Sequence, residues 1–314
     1  MTPRIVRVKA LAKINLSLEV VAKRPDGFHD LKTIFQTISL ADTLTLEYAR
    51  AKRTSIIVDS DIPDNLVVKA ARAVLNALKL SAAVHMKLAK VIPMGGGLGG
   101  GSSDAAAVLL ALPVLTGRAI RWDRLIEIAG DLGSDVPFFL LGGSALGLGR
   151  GTELYPLPDI AAGPAMVISP DIHVSTAQAY QALGLTSVAP SPKLSICGSL
   201  AMSLGAGLPA EGWSRFCHND FESVVFRQHP QLGSVRRRLQ QLGASPARMS
   251  GSGAALFGIF PSQEALKRAL PKFTKEKAFP VTLVSRRSYQ ALWWRQLREH
   301  MSEQLWPPRS RYAQ

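Results

Sequence analysis

The chain contains one glycine-rich loop that decides its fold, Pro93-Met94-Gly95-Gly96-Gly97-Leu98-Gly99-Gly100-Gly101-Ser102-Ser103. Six of the seven residues from 95 to 101 are glycine, so backbone N–H groups can approach a ligand without hindrance from side chains. The alternating segment Val84–Ile92 predicts a strand before the loop, and Ser102-Ser103-Asp104 predicts a cap for an apolar helix over Ala105–Leu115. Because free N–H groups and the dipole at a helix start favour an anion, this pattern indicates a phosphate-binding loop.

The loop differs from the better-known nucleotide loops. Gly95, Gly97 and Gly100 satisfy the dinucleotide pattern, but no acidic residue ends a strand about 20 positions further on. A Walker A loop has Lys after its last glycine, where this chain has Ser102-Ser103, and the HRD and DFG motifs of protein kinases are missing. A flexible linker is disfavoured between a strand and so apolar a helix. Positive charge for a phosphate must therefore come from elsewhere, and Lys13 and Lys90 are candidates.

The composition describes a folded chain with room for two domains. It has 314 residues, of which 47% are hydrophobic and 7% aromatic, which excludes a disordered protein. The longest uncharged stretches, Leu194–Ala210 and Val136–Gly149, are broken and too short to span a membrane, and Met1–Lys9 has no apolar signal core. We therefore expect a cytoplasmic protein that binds no membrane. A net charge of +14 favours anionic partners, and the two cysteines and six histidines show no metal-binding spacing.

Elements before the loop follow from alternation and caps. Apolar residues alternate from Val6 to Val20, which predicts a strand that ends at the turn Arg24-Pro25-Asp26-Gly27. Asp64-Asn65 predicts the N-terminus of a helix. The remaining elements expected in this part are strands over Thr33–Ser39, Thr43–Glu47 and Ser55–Val58, and that helix over Leu66–Lys79.

Elements after the loop suggest a second α+β unit. A helix is expected over Trp122–Leu132, and Gly133-Ser134-Asp135 predicts a turn into an apolar strand over Val136–Leu141. The Pro- and Gly-bearing segment Leu157–Pro164 is the expected boundary, which divides the chain into residues 1–162 and 163–290. Beyond it we expect strands over Ala165–Ser169, Ala255–Phe260 and Pro280–Val284, and helices over Thr176–Leu183, His229–Leu242 and Gln263–Ala269.

The last segment, residues 291–314, is basic and amphipathic. Trp293, Leu297, Met301 and Leu305 form one apolar stripe, which predicts a helix over Ala291–Trp306 that Pro307-Pro308 ends. Packing on the body of the protein is expected, and a partner-binding role is the alternative.

Two side chains are candidates for phosphoryl-transfer chemistry. Such a site needs a group that orients or deprotonates the attacking hydroxyl, and Asp135 is placed in a turn before an apolar segment. Taken alone, Asp135 is more typical of a turn or cap residue, and Lys13 of the solvated face of a strand. Neither residue decides the function by itself.

Several motifs in register resemble the diphosphocytidyl-methylerythritol kinases of the GHMP kinase superfamily. They are Ala12-Lys13-Ile14-Asn15-Leu16, Lys23-Arg24-Pro25-Asp26-Gly27-Phe28-His29, Pro93 through Ala106, Leu132-Gly133-Ser134-Asp135-Val136-Pro137 and Met249-Ser250-Gly251-Ser252-Gly253-Ala254. The resemblance runs from about Val8 to about Ser285. It implies an α+β fold with an N-terminal domain like domain 2 of ribosomal protein S5 and a ferredoxin-like C-terminal domain.

The resemblance also implies an activity and its residues. The family uses ATP, with Mg²⁺, to phosphorylate the 2-hydroxyl of diphosphocytidyl-methylerythritol in the non-mevalonate route to isoprenoids. Asp135 would be the general base and Lys13 its partner. One of Ser102 and Ser103 would lie close to Mg²⁺. ATP would be bound by Pro93 through Ser103 with Asn65 and Lys90, and the cytidine substrate by Asn15, Phe28, His29, Thr176, Tyr180, Gly251, Ser252 and Gly253.

Two departures and two alternatives accompany this hypothesis. The family usually has Tyr where this chain has Phe28, and residues 291–314 extend beyond the usual end.

Another GHMP kinase, acting on homoserine or mevalonate, is the nearer alternative. The segment that ends in Phe28-His29 argues against it. A nucleic-acid-binding protein would fit the charge, but aromatic residues are too sparse for it. The expected partners are thus small molecules, and the chain would be a monomer or homodimer.

Overall fold

The first sheet is built around one long strand. The structure is a computed structural model that describes residues 2–161, 163–184 and 195–312. The strands of this sheet are β1 (Arg4–Lys23), β2 (His29–Arg50), β3 (Ser55–Asp59), β4 (Ala82–Ala89), β5 (Ser144–Gly149) and β6 (Glu153–Pro156). β2 pairs with β1 along one edge and with β4 and β5 along the other, all antiparallel, while β3 adds to β4 in parallel.

β2 corrects the prediction of two separate strands over Thr33–Ser39 and Thr43–Glu47. The residues between them keep the ladder, since Leu11 pairs with Ala41 and Ala10 with Asp42. Asp42 is tolerated inside the sheet because its carboxylate accepts hydrogen bonds from the backbone N–H groups after β4 and pairs with Lys90.

Four helices cover the first sheet, and two of them differ from expectation. They are α1 (Leu66–Ala77), α2 (Gly100–Thr116), α3 (Trp122–Leu132) and α4 (Val136–Leu141). α2 begins inside the glycine loop, with Gly99 at φ +69° as its N-cap, so Ser102 and Ser103 lie in its first turn rather than ahead of it. The predicted strand over Val136–Leu141 is wrong. Pro137 cannot donate to a ladder but suits a first helical turn.

The second sheet has the strand order β10-β7-β9-β8 and is antiparallel. Its strands are β7 (Pro164–Ser169), β8 (Ala247–Met249), β9 (Leu256–Ile259) and β10 (Lys277–Thr282). The helices of this part are α5 (Thr176–Leu183), α6 (Ile196–Gly205), α7 (Ala210–Trp213), α8 (Glu222–Gln228), α9 (Pro230–Gln241) and α10 (Gln263–Ala269). Residue 162, at which the sequence predicts the boundary, lies outside the described residues.

A shared apolar cluster joins the two sheets and buries the middle of β1. Ile14 and Leu16 pack in one cluster with Val167 and Phe257 of the second sheet. The opposite face of β1 is also closed, so Lys13 is only 3% exposed. The expectation that Lys13 lies on the solvated face of a strand is therefore wrong. Alternation predicts which residues share a face of a strand, but not whether the second face is covered.

The last helix, α11 (Arg286–Leu297), is shorter than predicted and begins earlier. Ser285 caps it, and a 3₁₀ turn over Arg298–His300 follows, so the predicted helix to Trp306 is wrong. Its buried side chains pack in the core of the first sheet, which confirms the expected packing on the body. In the described part of the chain, no helix is long and apolar enough to cross a membrane.

Candidate active site

The glycine loop forms an open backbone cradle between β4 and α2. Gly95, Gly97 and Gly99 have φ of +68°, +75° and +69°, so every second residue adopts a conformation that other residue types disfavour. Such alternation turns successive N–H groups toward one concave side, which suits an anion. The N-terminus of α2 adds its dipole at the same place.

The segment Met249-Ser250-Gly251-Ser252-Gly253-Ala254, which we call the third glycine motif, holds the loop from the second sheet's side. A Cβ on Gly97 would lie 2.2 Å from the carbonyl oxygen of Ser250, so only glycine fits. The Ser250 hydroxyl donates to the Gly97 carbonyl at 2.8 Å and accepts from the backbone N–H of Asn15 at 3.2 Å. The Ser250 hydroxyl therefore connects the glycine loop, β1 and the third glycine motif.

Lys13 and Asp135 face each other across the cavity floor. Lys13 Nζ lies 3.2 Å from Asp135 Oδ2, and it donates to Asn15 Oδ1 at 2.7 Å. The Lys13 side chain is 4% exposed and that of Asp135 is 32% exposed. The buried ammonium thus pairs with a carboxylate that stays accessible to a ligand. Asp135 is the N-cap residue of α4, and its side chain makes no capping hydrogen bond.

One cavity of about 980 Å³ collects most of the predicted residues. From the predicted set it is lined by Lys13, Asn15, Phe28, His29, Gly95, Gly97, Ser102, Asp135, Thr176, Tyr180, Gly251 and Ser252. Ser103 points elsewhere, since its hydroxyl is buried and donates to the Leu11 carbonyl at 2.7 Å. Gly253 is packed against Met249 instead, because a Cβ there would lie 2.8 Å from the Met249 sulfur.

The far end of the cavity is aromatic. His29 and Tyr180 stack with ring centroids 4.3 Å apart, and Phe221 meets Tyr180 edge-on at 4.8 Å. Burial, with a smaller contribution from Lys23, lowers the pKa of His29, so the imidazole is neutral at neutral pH. Burial, with help from the charge of Asp135, raises the pKa of Tyr180 to about 12, so its hydroxyl keeps its proton.

Arg150 is a cavity residue that sequence reasoning missed. Its guanidinium lies 3.6 Å from the ring centroid of Phe28, and with Lys23 it lines the same end of the cavity. The available signal was its position between Gly149 and Gly151, both at positive φ, directly after β5. The other lining residues not predicted include Thr33, Ser134, Gln181 and Phe221.

Neither Lys90 nor Asn65 lines the cavity, and Lys90 lies behind the loop. Lys90 Nζ is 2.6 Å from Asp104 Oδ2 and also contacts Asp42, and it would touch a Cβ on Gly100. Burial lowers the pKa of Lys90, but the two carboxylates outweigh it and the pKa is raised overall. Burial is also the main reason that the pKa of Asp104 rises to about 7. Asn65 caps α1 by accepting from Val67 N.

A metal would have few protein ligands here. Across the residues that the structure describes, no group of three or more His, Cys, Asp or Glu side chains could hold a metal ion. Oxygen donors that line the cavity include the Ser102 hydroxyl and the Asp135 carboxylate. This donor set fits a hard cation that brings other ligands with it.

Comparison with known proteins identifies the relatives of this chain. The model for the GHMP kinases N terminal domain matches residues 65–143, and the model for the GHMP kinases C terminal domain matches residues 203–278. A 4-diphosphocytidyl-2-C-methyl-D-erythritol kinase of Solibacter usitatus is 51% identical over 99% of both chains. One of Geobacter metallireducens is 35% identical over 88% of this chain and 97% of its own.

Solved structures agree with these relatives. The crystal structure of a 4-(cytidine 5'-diphospho)-2C-methyl-D-erythritol kinase is 36% identical with a TM-score of 0.75, and the match covers 88% of this chain and 98% of that one. A homoserine kinase from Cytophaga hutchinsonii, 20% identical with a TM-score of 0.66 over 90% of this chain and 95% of its own, shares the fold.

Proposed function

Because the chain belongs to the GHMP kinases, and within them to the 4-diphosphocytidyl-2-C-methyl-D-erythritol kinases, we propose how its α+β fold performs that reaction. The enzyme transfers the γ-phosphoryl group of ATP to the 2-hydroxyl of 4-(cytidine 5'-diphospho)-2-C-methyl-D-erythritol, giving the 2-phosphate and ADP. The product belongs to isoprenoid precursor biosynthesis. The observation that carries the site assignment is the Lys13–Asp135 pair beside a bare backbone cradle.

Asp135 is the general base in this proposal. Its carboxylate accepts the proton of the 2-hydroxyl while that oxygen forms a bond to the γ-phosphorus, and the bond from phosphorus to the bridging oxygen of ADP breaks. Lys13 pairs with the carboxylate and orients it. Base catalysis typically contributes about 10²–10⁴ in rate, so alignment of the two reactants must supply much of the remainder.

The glycine loop binds the triphosphate. Its N–H groups and the start of α2 stabilise negative charge on the β- and γ-phosphates. Lys90 and Asn65, together with Pro93 through Ser103, remain the proposed ATP residues. The geometry favours an indirect role for Lys90, since its ammonium already contacts Asp42 and Asp104 behind the loop.

Mg²⁺ accompanies ATP in this proposal. Ser102, rather than the engaged Ser103, would hold it together with phosphate oxygens. When bound, the ion supplies charge neutralisation on the phosphates. We place the reaction in the cytoplasm, where ATP is available.

The aromatic end binds the cytidine diphosphate. A neutral His29 offers one donor and one acceptor nitrogen to the edge of cytosine, while Tyr180 and Thr176 cover the base from the second sheet's side. Phe28 keeps the stacking surface that Tyr provides in relatives, but not its hydroxyl. Arg150 and Lys23 supply positive charge for the diphosphate.

Two substitutions test the proposed base and its partner. Asp135→Asn and Lys13→Ala should each lower kcat at least about a hundredfold in an ADP-release assay, because the first removes the proposed base and the second removes the side chain that orients it. Asp131→Asn and Lys9→Ala are matched controls, each four residues earlier and exposed, and should retain wild-type turnover.

Circular dichroism confirms folding of each variant, and homoserine and mevalonate serve as competing acceptors. Wild-type turnover by either site variant would refute the assigned mechanism. Equal turnover of the three acceptors would refute the assigned substrate.

A further inference from the structure

The short helix α4 receives hydrogen bonds from the end of the chain. An α-helix leaves its last carbonyl groups without intrahelical partners. In α4, the Tyr289 hydroxyl donates to the Phe139 carbonyl at 2.6 Å, and Trp306 Nε1 donates to the Leu140 carbonyl at 3.0 Å. Both donors belong to residues 286–312, which we call the C-terminal segment. It thus caps the helix at whose start Asp135 stands.

The contact is close enough to leave α4 little freedom. A Cβ on Gly142 would lie 2.3 Å from the Tyr289 ring, and one on Gly143 would lie 2.7 Å from Arg286. Tyr289 is 2% exposed, and its ring meets that of Trp306 edge-on at 6.0 Å. A close-packed interface of this kind transmits a displacement instead of absorbing it.

α4 also packs against the glycine loop and Lys13. A Cβ on Gly99 would lie 2.9 Å from Phe139 Cζ and 3.1 Å from Lys13 Cγ, so the Phe139 ring, the glycine loop and the lysine stem meet there. Phe139 is the residue whose carbonyl Tyr289 caps. A shift of α4 would therefore move Asp135 and the packing behind Lys13 together.

We infer that the C-terminal segment is a positioning element of the catalytic site, with Tyr289 and Trp306 as its positioning residues. The inference rests on the proposed function, since it assigns the segment's effect to the base Asp135. Neither residue touches the cavity. Both act through α4, so their loss reduces alignment of the reactants and leaves substrate binding unchanged.

The test removes each donor and keeps its ring, with Trp306→Phe and Tyr289→Phe. Trp294→Phe is the matched control, because Trp294 Nε1 also donates to a carbonyl at 3.0 Å, but to Leu305 within the segment. Misplacement by about 1 Å can cost about a hundredfold in rate, and we expect the partial loosening here to lower kcat about tenfold. KM for ATP and for the cytidine substrate should stay within about twofold.

Hydrogen–deuterium exchange supplies the second measurement. Amides of residues 136–142 should exchange faster in Trp306→Phe and Tyr289→Phe, and at the wild-type rate in Trp294→Phe. The inference would be overturned if Trp306→Phe and Tyr289→Phe both kept the wild-type kcat and amide exchange. It would also be overturned if Trp294→Phe lowered kcat as much as they do. If the wild type does not phosphorylate the cytidine substrate, the proposed function is refuted. Hydrogen–deuterium exchange of residues 136–142 then still shows whether the C-terminal segment holds α4 in place.

Discussion

Replacing Gly97 by Ala should disrupt the point where the loop meets the third glycine motif. The added Cβ would lie 2.2 Å from the Ser250 oxygen and 2.9 Å from its carbonyl carbon, which are backbone atoms that cannot rotate away. The residue also has φ of +75°. A left-handed conformation costs about 1–2 kcal/mol for a non-glycine residue, and overpacking adds about 1–3 kcal/mol. We expect a loss of about 2–5 kcal/mol in the free energy of unfolding.

Gly207→Ala separates the two contributions. Gly207 has φ of +68°, but no heavy atom lies within 4 Å of its added Cβ. It should lose only the conformational part, about 1–2 kcal/mol. Urea unfolding followed by circular dichroism measures both variants.

The kinetic consequence follows from the same contact. Relief of the clash moves the loop, so Gly97→Ala should lower kcat/KM for ATP at least about tenfold, and Gly207→Ala should leave it unchanged. Equal unfolding midpoints for the two variants, with equal kinetics, would refute the packing argument.

Three further predictions concern the charged groups. His29→Ala should raise KM for the cytidine substrate far more than KM for ATP, and equal effects on both substrates would contradict this. In the wild type, KM for the cytidine substrate should rise only at a pH below the ordinary imidazole pKa, because burial lowers the pKa of His29. Arg150→Ala should raise KM for the cytidine substrate about tenfold without changing KM for ATP, and an unchanged value would remove its role at the diphosphate. Asp104→Asn should change how stability depends on pH. Burial raises the pKa of Asp104 to about 7, so the contribution of its protonated form to the free energy of unfolding falls as pH rises from about 4 through about 7. Over that range the wild type should therefore lose resistance to urea relative to Asp104→Asn. Parallel pH profiles of the two proteins would argue against this role.

The helices α3, α5 and α10 were predicted at their observed bounds. α5 and α10 follow Ser175 and Ser262, whose side chains accept from the first turn. α3 was predicted at both ends from its amphipathic period, since its N-cap residue Arg121 makes no side-chain capping hydrogen bond. Caps and periodicity are local properties, so one sequence suffices to locate these elements.

Elements whose pattern is ambiguous were not predictable in this way. The periodicity of the six apolar residues of α4 fits a buried strand or a buried helix equally, and the local signal that favours the helix is Pro137 in its first turn. The last helix ends at Leu297 although its apolar stripe continues, because the chain turns back and Met301 pairs with Ser310. A long-range contact overrode local periodicity.

By itself, the amino-acid sequence determined the chemistry of the backbone cradle and the motifs that carry the resemblance. A run of glycines exposes N–H groups in any fold, because the property belongs to the residues themselves. Only the tertiary structure decided which charges meet. It brought Lys13 to Asp135 and turned Lys90 toward Asp42 and Asp104. The interaction between two charges depends on their distance and burial, and both are set by how distant segments of the chain pack.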